Sequence, residues 1–185
     1  MNKFFVFLLL TTTPIYALSE ANLSAEFSIG LASQQVKSDY VEADSDTTYG
    51  FKLRYSFYNY FSAHIEYRDY GETENPYKQP FTPLIWNVDS KSKNFGIGIV
   101  YPIMESFLIG ADFGVADWDM NIRANSGNLS GNFSADGTDP YYRFKMINFI
   151  TERITFGLEY TDLDMKLPNG NIEIEDVSLL MGIIF

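Results

Sequence analysis

The sequence predicts an all-β fold, an eight-stranded antiparallel up-and-down transmembrane β-barrel, on three observations. Apolar and polar side chains alternate over segments of about ten residues, the length a tilted strand needs to cross a bilayer. Short and long connections between those segments also alternate. No helical periodicity persists in the 185 residues, although 46% of them are hydrophobic and 17% aromatic.

The chain begins with the layout of a secretory signal peptide: Lys3, the apolar run FFVFLLL and a small residue at Ala17. That run is too short to span a bilayer as a helix, and Pro14 with the threonine triplet argues against a buried one. Cleavage after Ala17 is expected, leaving residues 18–185 as one barrel domain. Without cysteine there is no disulfide framework, no thiol chemistry and no thiolate metal site.

The first strand is read over Ala25–Gln35, where Phe27, Ile29 and Leu31 oppose Ser28, Gly30 and Ala32. A polar connection leads to a hairpin over Thr47–Gly71, the clearest repeat unit. Its first arm sets Tyr49, Phe51, Leu53, Tyr55 and Phe57 against Gly50, Lys52, Arg54 and Ser56. Its second sets Phe61, Ala63, Ile65 and Tyr67 against Ser62, His64, Glu66 and Arg68. Rings at the ends of both arms suit a hydrocarbon band between two interfaces. A second long connection is expected over 72–90, where Pro76, Pro80 and Pro83 argue against a central strand. Asn94–Tyr101 and Phe107–Trp118 supply strands four and five around a tight turn. A third connection, rich in Asn, Ser and Gly, is expected over 121–139. Tyr141–Asn148 is strand six, with Tyr142, Phe144 and Met146 outward. Ile154, Phe156, Leu158 and Tyr160 form the outer row of strand seven, and Pro168-Asn169-Gly170 is a hairpin turn. The alternation Val177, Leu179, Met181, Ile183, Phe185 closes the set.

Three short turns, four long connections and an even strand count place both termini on the short-turn side. The stretches KLRYSFYNYFSAHIEYRDYG, ADWDM, DGTDPYYRF and TFGLEYTDLD, with the terminal phenylalanine, resemble the transmembrane domain of the OmpA/OmpX-like family of outer-membrane proteins. The resemblance covers the whole mature chain. It implies a barrel in the outer membrane of a Gram-negative bacterium, with periplasmic short turns and termini and extracellular long loops. It also implies that Phe185 is an assembly signal read by the barrel-assembly machinery. A monomer without a peptidoglycan-binding domain is expected.

Inward parity collects Lys52, Arg54, Glu66, Arg68, Asp112, Arg143, Lys145 and Glu159. Eight strands enclose only enough space for side chains to fill, so these groups are expected to satisfy one another as a polar plug. The alternative is a narrow or gated ion path, which an excess of cations over anions would tune to anions. A lipid A-modifying enzyme is the third reading. A hydrolase would need a nucleophile, a histidine and an orienting acid at the lipid-facing rim. The single histidine, His64, shares inward parity with Ser62 and Glu66 and reads as an interior polar residue.

Net charge is −11, and loss of Lys3 with the signal would make it −12. That balance argues against nucleic acid as a partner. Asp39, Glu42, Asp44, Asp46, Glu173, Glu175 and Asp176 cluster in the expected loops. They are expected to serve as solvated loop tips, to share divalent cations with lipopolysaccharide phosphates, or to recognise a basic host or phage surface. No resident cofactor is expected.

Overall fold

The computed structural model describes residues 22–36, 44–58, 60–76, 84–126, 129–168 and 170–185. The expected signal peptide at 1–17 and the proposed start of the barrel at 18 lie outside these residues. Eight strands follow one another around a closed barrel: β1 Asn22–Val36, β2 Ser45–Tyr58, β3 Phe61–Pro76, β4 Leu84–Met104, β5 Phe107–Ser126, β6 Leu129–Phe149, β7 Ile154–Leu167 and β8 Gly170–Ile184. All neighbours are antiparallel, and β8 pairs back onto β1 through Phe27↔Met181 and Ile29↔Leu179. The alternation in the sequence dictates the wall. In β2, Tyr49, Phe51, Leu53, Tyr55 and Phe57 are exposed on the outer surface while Lys52 and Arg54 are buried inside. An apolar row of this kind around the whole barrel is covered by hydrocarbon rather than water.

The strands run further than the apolar pattern suggests. β4, β5 and β6 contain 21, 20 and 21 residues, about twice what a crossing needs. The connections expected over 72–90 and 121–139 are therefore mostly strand, and the proline argument fails for β3, which runs on to Pro76 at its end. A bulge hides this extension. Asp69 pairs with Lys91 but Glu72 with Asp89, and Gly71 takes a φ of 74°, in the left-handed region that favours glycine. Inward parity consequently shifts from even to odd positions, so Thr73 and Asn75, read as loop residues, are buried. In β5 and β6 the extension is Asn-, Ser- and Gly-rich. There the alternation continues but inverts: Met120 and Ile122 on β5, with Phe133 and Ala135 on β6, take the inner face, and Asn121, Arg123, Asn132 and Ser134 the outer.

Two seams divide the upper wall, the end away from the short turns. β2 pairs with β3 only as far as Tyr49↔Asp69, and β6 with β7 only as far as Tyr141↔Leu163. Beyond them the wall forms two half-shells, β7-β8-β1-β2 and β3-β4-β5-β6. Individual bonds bridge the gaps. Asp44 N–H donates to Glu74 O (3.0 Å) and Glu72 N–H to Asp46 Oδ2 (2.9 Å) across the first seam. Lys166 N–H donates to Asp139 Oδ2 (2.9 Å) across the second.

The lumen is filled in layers. An upper apolar cluster includes Tyr70, Val88, Trp118, Met120, Tyr141, Leu163, Met165, Ile172 and Ile174. A charged middle lies within the membrane-crossing part of the wall. A smaller apolar cluster, Leu108, Ile147 and Leu180, lies toward the short turns.

Candidate functional site

Each residue of the charged middle is placed by strand parity. β2 projects Lys52 and Arg54 inward, β3 Glu66 and Arg68, β5 Asp112, β6 Arg143 and Lys145, and β7 Glu159, all at most 5% exposed. Arg54 donates through Nη2 to Asp112 Oδ2 (2.8 Å) and through Nε to Glu26 Oε1 (2.6 Å). Lys145 Nζ reaches the other oxygen of Asp112 at 2.7 Å. Arg143 donates to Glu66 Oε2 (2.6 Å) and Thr161 Oγ1 (2.9 Å), and its guanidinium carbon lies 5.4 Å from the centre of the Tyr141 ring. Arg68 donates to Glu159 Oε1 (2.8 Å), while Lys52 holds Glu159 Oε2 (3.0 Å). These contacts join strands on opposite sides of the lumen. Charge-assisted bonds in a water-poor interior are the strong kind, and they draw the wall together.

Two carboxylates of this network fall outside the eight residues singled out from the sequence. Glu26 on β1 pairs with Arg54 and lies 3.3 Å from Lys52. Asp176 on β8, read as a loop acid, is fully buried, with Oδ2 2.9 Å from Arg68 Nε. Parity could have found both, since Glu26 shares the face of Ser28, and Asp176 the face of Ser178. Their inclusion corrects the expected cation excess. Among the described residues, five cations (Lys52, Arg54, Arg68, Arg143, Lys145) meet five anions (Glu26, Glu66, Asp112, Glu159, Asp176) in this layer. Gly98 makes room for it, because a Cβ there would collide with the Asp112 carboxylate and the Arg54 guanidinium.

His64 and Ser62 sit at the edge of the same layer. The His64 Nε2 meets the Tyr141 hydroxyl, and Ser62 Oγ accepts from Arg54 Nη1 at 2.8 Å. The two side chains are thus engaged elsewhere, inside the lumen and away from the lipid-facing rim. Below them a cavity of about 580 Å³ opens at the short-turn end, with Arg54 and Glu26 at its floor and Phe149, Arg153 and Phe185 among its walls. Phe185 is 72% exposed, and its N–H donates to Leu23 O at 2.9 Å. Of the loop acids, Asp39 and Glu42 lie outside the described residues. Asp44 and Asp46 bridge or cap strand ends, and Glu175 accepts from the Tyr160 hydroxyl.

A family model described as an outer membrane protein beta-barrel domain matches residues 5–185. No curated protein is matched by the chain. Among solved structures, OprG of Pseudomonas aeruginosa is similar with a TM-score of 0.63 at 12% identity, covering 91% of this chain and 98% of that one. Ail of Yersinia pestis is similar with a TM-score of 0.56 at 19% identity, covering 88% and 98%. Neisserial surface protein A is similar with a TM-score of 0.56 at 10% identity, covering 88% and 97%. At these identities the likeness is one of fold.

Proposed function

This chain belongs to the family of outer membrane protein β-barrel domains, and on that premise we propose a sealed barrel that anchors an extracellular β-structure for surface interaction. It resides in the outer membrane of a Gram-negative bacterium, and its strands cross that membrane. The carrying observation is the charge-balanced middle layer. Each carboxylate in it has a cation within 3.3 Å, and the upper apolar cluster covers it. An ion would have to displace these partners and then cross a packed apolar layer, which is a poor conduction path.

In this reading both termini and the short turns face the periplasm, and Phe185 presents its exposed ring to the barrel-assembly machinery. The extended β4, β5 and β6 stand outside the cell beyond the lipopolysaccharide surface, where exposed acidic groups can share divalent cations with its phosphates. The barrel acts as a monomer without catalytic chemistry: His64 faces a tyrosine hydroxyl instead of a nucleophile. The gated channel remains the second reading, favoured by the cavity that brings the short-turn side down to Glu26 and Arg54.

Cysteine labelling tests the display. Glu74→Cys, on the outward face of the β3 extension, should react with a membrane-impermeant maleimide on intact cells, and Met104→Cys at the short-turn end should not. Labelling of Met104→Cys alone would invert the orientation.

A further inference from the structure

We propose that the cavity at the short-turn end of the lumen is a binding site for an uncharged amphiphile. Its hydroxyl or amide head rests on the charged layer, and its hydrocarbon body lies against the wall formed by β4, β5 and β6. The proposal rests on the sealed lumen argued above, since the closed charged layer is what gives the cavity a floor.

Side-chain length leaves the space. At this level β1, β2 and β7 turn Ser24, Ser56 and Thr155 inward, too short to reach across the lumen, and about 580 Å³ stays open. That volume falls in the range of about 300–1,000 Å³ typical of small-molecule pockets. The lining is two-sided. In a closed barrel of eight strands, β1 and β2 stand opposite β5 and β6. The first pair surrounds the Glu26–Arg54 floor with the two serines, while Val100, Leu108 and Ile147 form the facing wall. Register keeps each group together: Ser24 pairs with Arg54, and Leu108 with Ile147.

The floor rejects a charged head. Arg54 has five N–H groups and engages all of them: Nε with Glu26, Nη1 with Ser62 and Asp112, Nη2 with Glu26 and Asp112. No donor is left for an anion. Glu26 already meets Arg54 at 2.6 Å and Lys52 at 3.3 Å. A further cation would upset a layer in which five positive charges balance five negative ones among the described residues. An uncompensated charge is costly in such an interior. The hydroxyls of Ser24, Ser56 and Thr155 take no partner among the described residues, and each can donate or accept. They suit a head that does both, an alcohol or an amide. Glu152 and Arg153 at the mouth are exposed, so water screens their charges and leaves the selection to the floor.

The test uses the barrel in nanodiscs of deuterated lipid and four probes of one chain length: decan-1-ol, decanoate, decylammonium and decane, compared at equal concentration in the bilayer. NMR signals of the Leu108 and Ile147 methyl groups follow binding. Decan-1-ol should shift them saturably and bind about fivefold more tightly than decane, the share of one hydrogen bond. It should bind at least about tenfold more tightly than either ion. Ser24→Val/Ser56→Val should abolish the preference for decan-1-ol over decane while both still enter. Val100→Trp, at a half-buried position on the apolar wall, should fill the space and weaken binding of decan-1-ol and decane alike in a barrel that is still heat-modifiable. Equal affinity of the native barrel for decane would make the cavity a resting place for lipid tails, and equal affinity for decanoate or decylammonium would show that the floor does not choose. Either result overturns the proposal, as would shifts that never saturate or binding unchanged in both variants. Conductance reads the seal separately, so a closed barrel that fails to bind refutes this inference alone.

Discussion

The middle of the barrel and its upper wall share one topology but are held by different physics. In the middle, every strand is laddered on both sides and the lumen holds buried charges joined across the barrel. In the upper wall, ladders are missing at two seams and the lumen holds aromatic and aliphatic side chains. The continuous ladder keeps the charges from separating, so their bonds can be short and mutually dependent. The split wall can shift, and non-directional apolar packing tolerates that movement better than an ion pair would. Stability should therefore respond sharply to loss of a charge in the middle and more gently to loss of volume above it.

Arg68→Ala should produce the largest effect. It leaves Asp176 without its cation and takes one partner each from Glu159, Ser28 and Ser178. Breaking a buried pair in this way costs about 3–5 kcal/mol, read as a lower urea midpoint for the barrel refolded in lipid. A midpoint equal to wild type would mean that water already screens the layer. Met165→Ala, fully buried in the upper cluster, should cost about 2–3 kcal/mol, the lower part of the range for such truncations, because a wall with two seams can close around the space. A loss as large as that of Arg68→Ala would erase the distinction between the layers.

Asp139→Ala should have the smallest effect on stability, about 1–2 kcal/mol. This carboxylate accepts from both Trp118 Nε1 (3.0 Å) and the Lys166 N–H (2.9 Å), tying the upper cluster to the seam. Its distinctive signature is local: amide exchange at Lys166 should accelerate while exchange in the middle of β6 stays unchanged. Uniform acceleration along β6 would show that the seam opens only with the whole barrel.

Strand number, antiparallel order and lipid-facing rows were legible in the sequence, because hydrocarbon on one side and a filled lumen on the other impose period two on each membrane-crossing segment. The extent of the strands was not. Thr73 and Asn75 exchange faces at the Gly71 bulge, and in Asn121–Ser126 with Leu129–Asp139 the pattern inverts, with Ile122, Phe133 and Ala135 on the inner face and polar residues outside. The many Asn, Ser and Gly residues there mask an alternation whose sense is opposite to that of the lipid-facing rows. The interior charges were readable by parity within the apolar rows. Glu26 and Asp176 lie at the ends of those rows, and the same parity, carried one step further to the faces of Ser28 and Ser178, would have included them. The upper apolar cluster was illegible for a related reason: Leu163, Met165, Ile172 and Ile174 come from strand ends beyond the lipid-facing rows, and Trp118 from the last position read as strand five.

Single-channel recording of the barrel in planar bilayers, with Arg143→Ala beside the unaltered protein, tests the sealed interior most directly. Arg143 is buried and holds Glu66 at 2.6 Å in the middle of the network. The unaltered barrel should give no steady current, and Arg143→Ala should lower the urea midpoint. Stable open-channel currents from the unaltered protein, changed in ion preference by Arg143→Ala with no loss of stability, would contradict the account and make the lumen a conduction path.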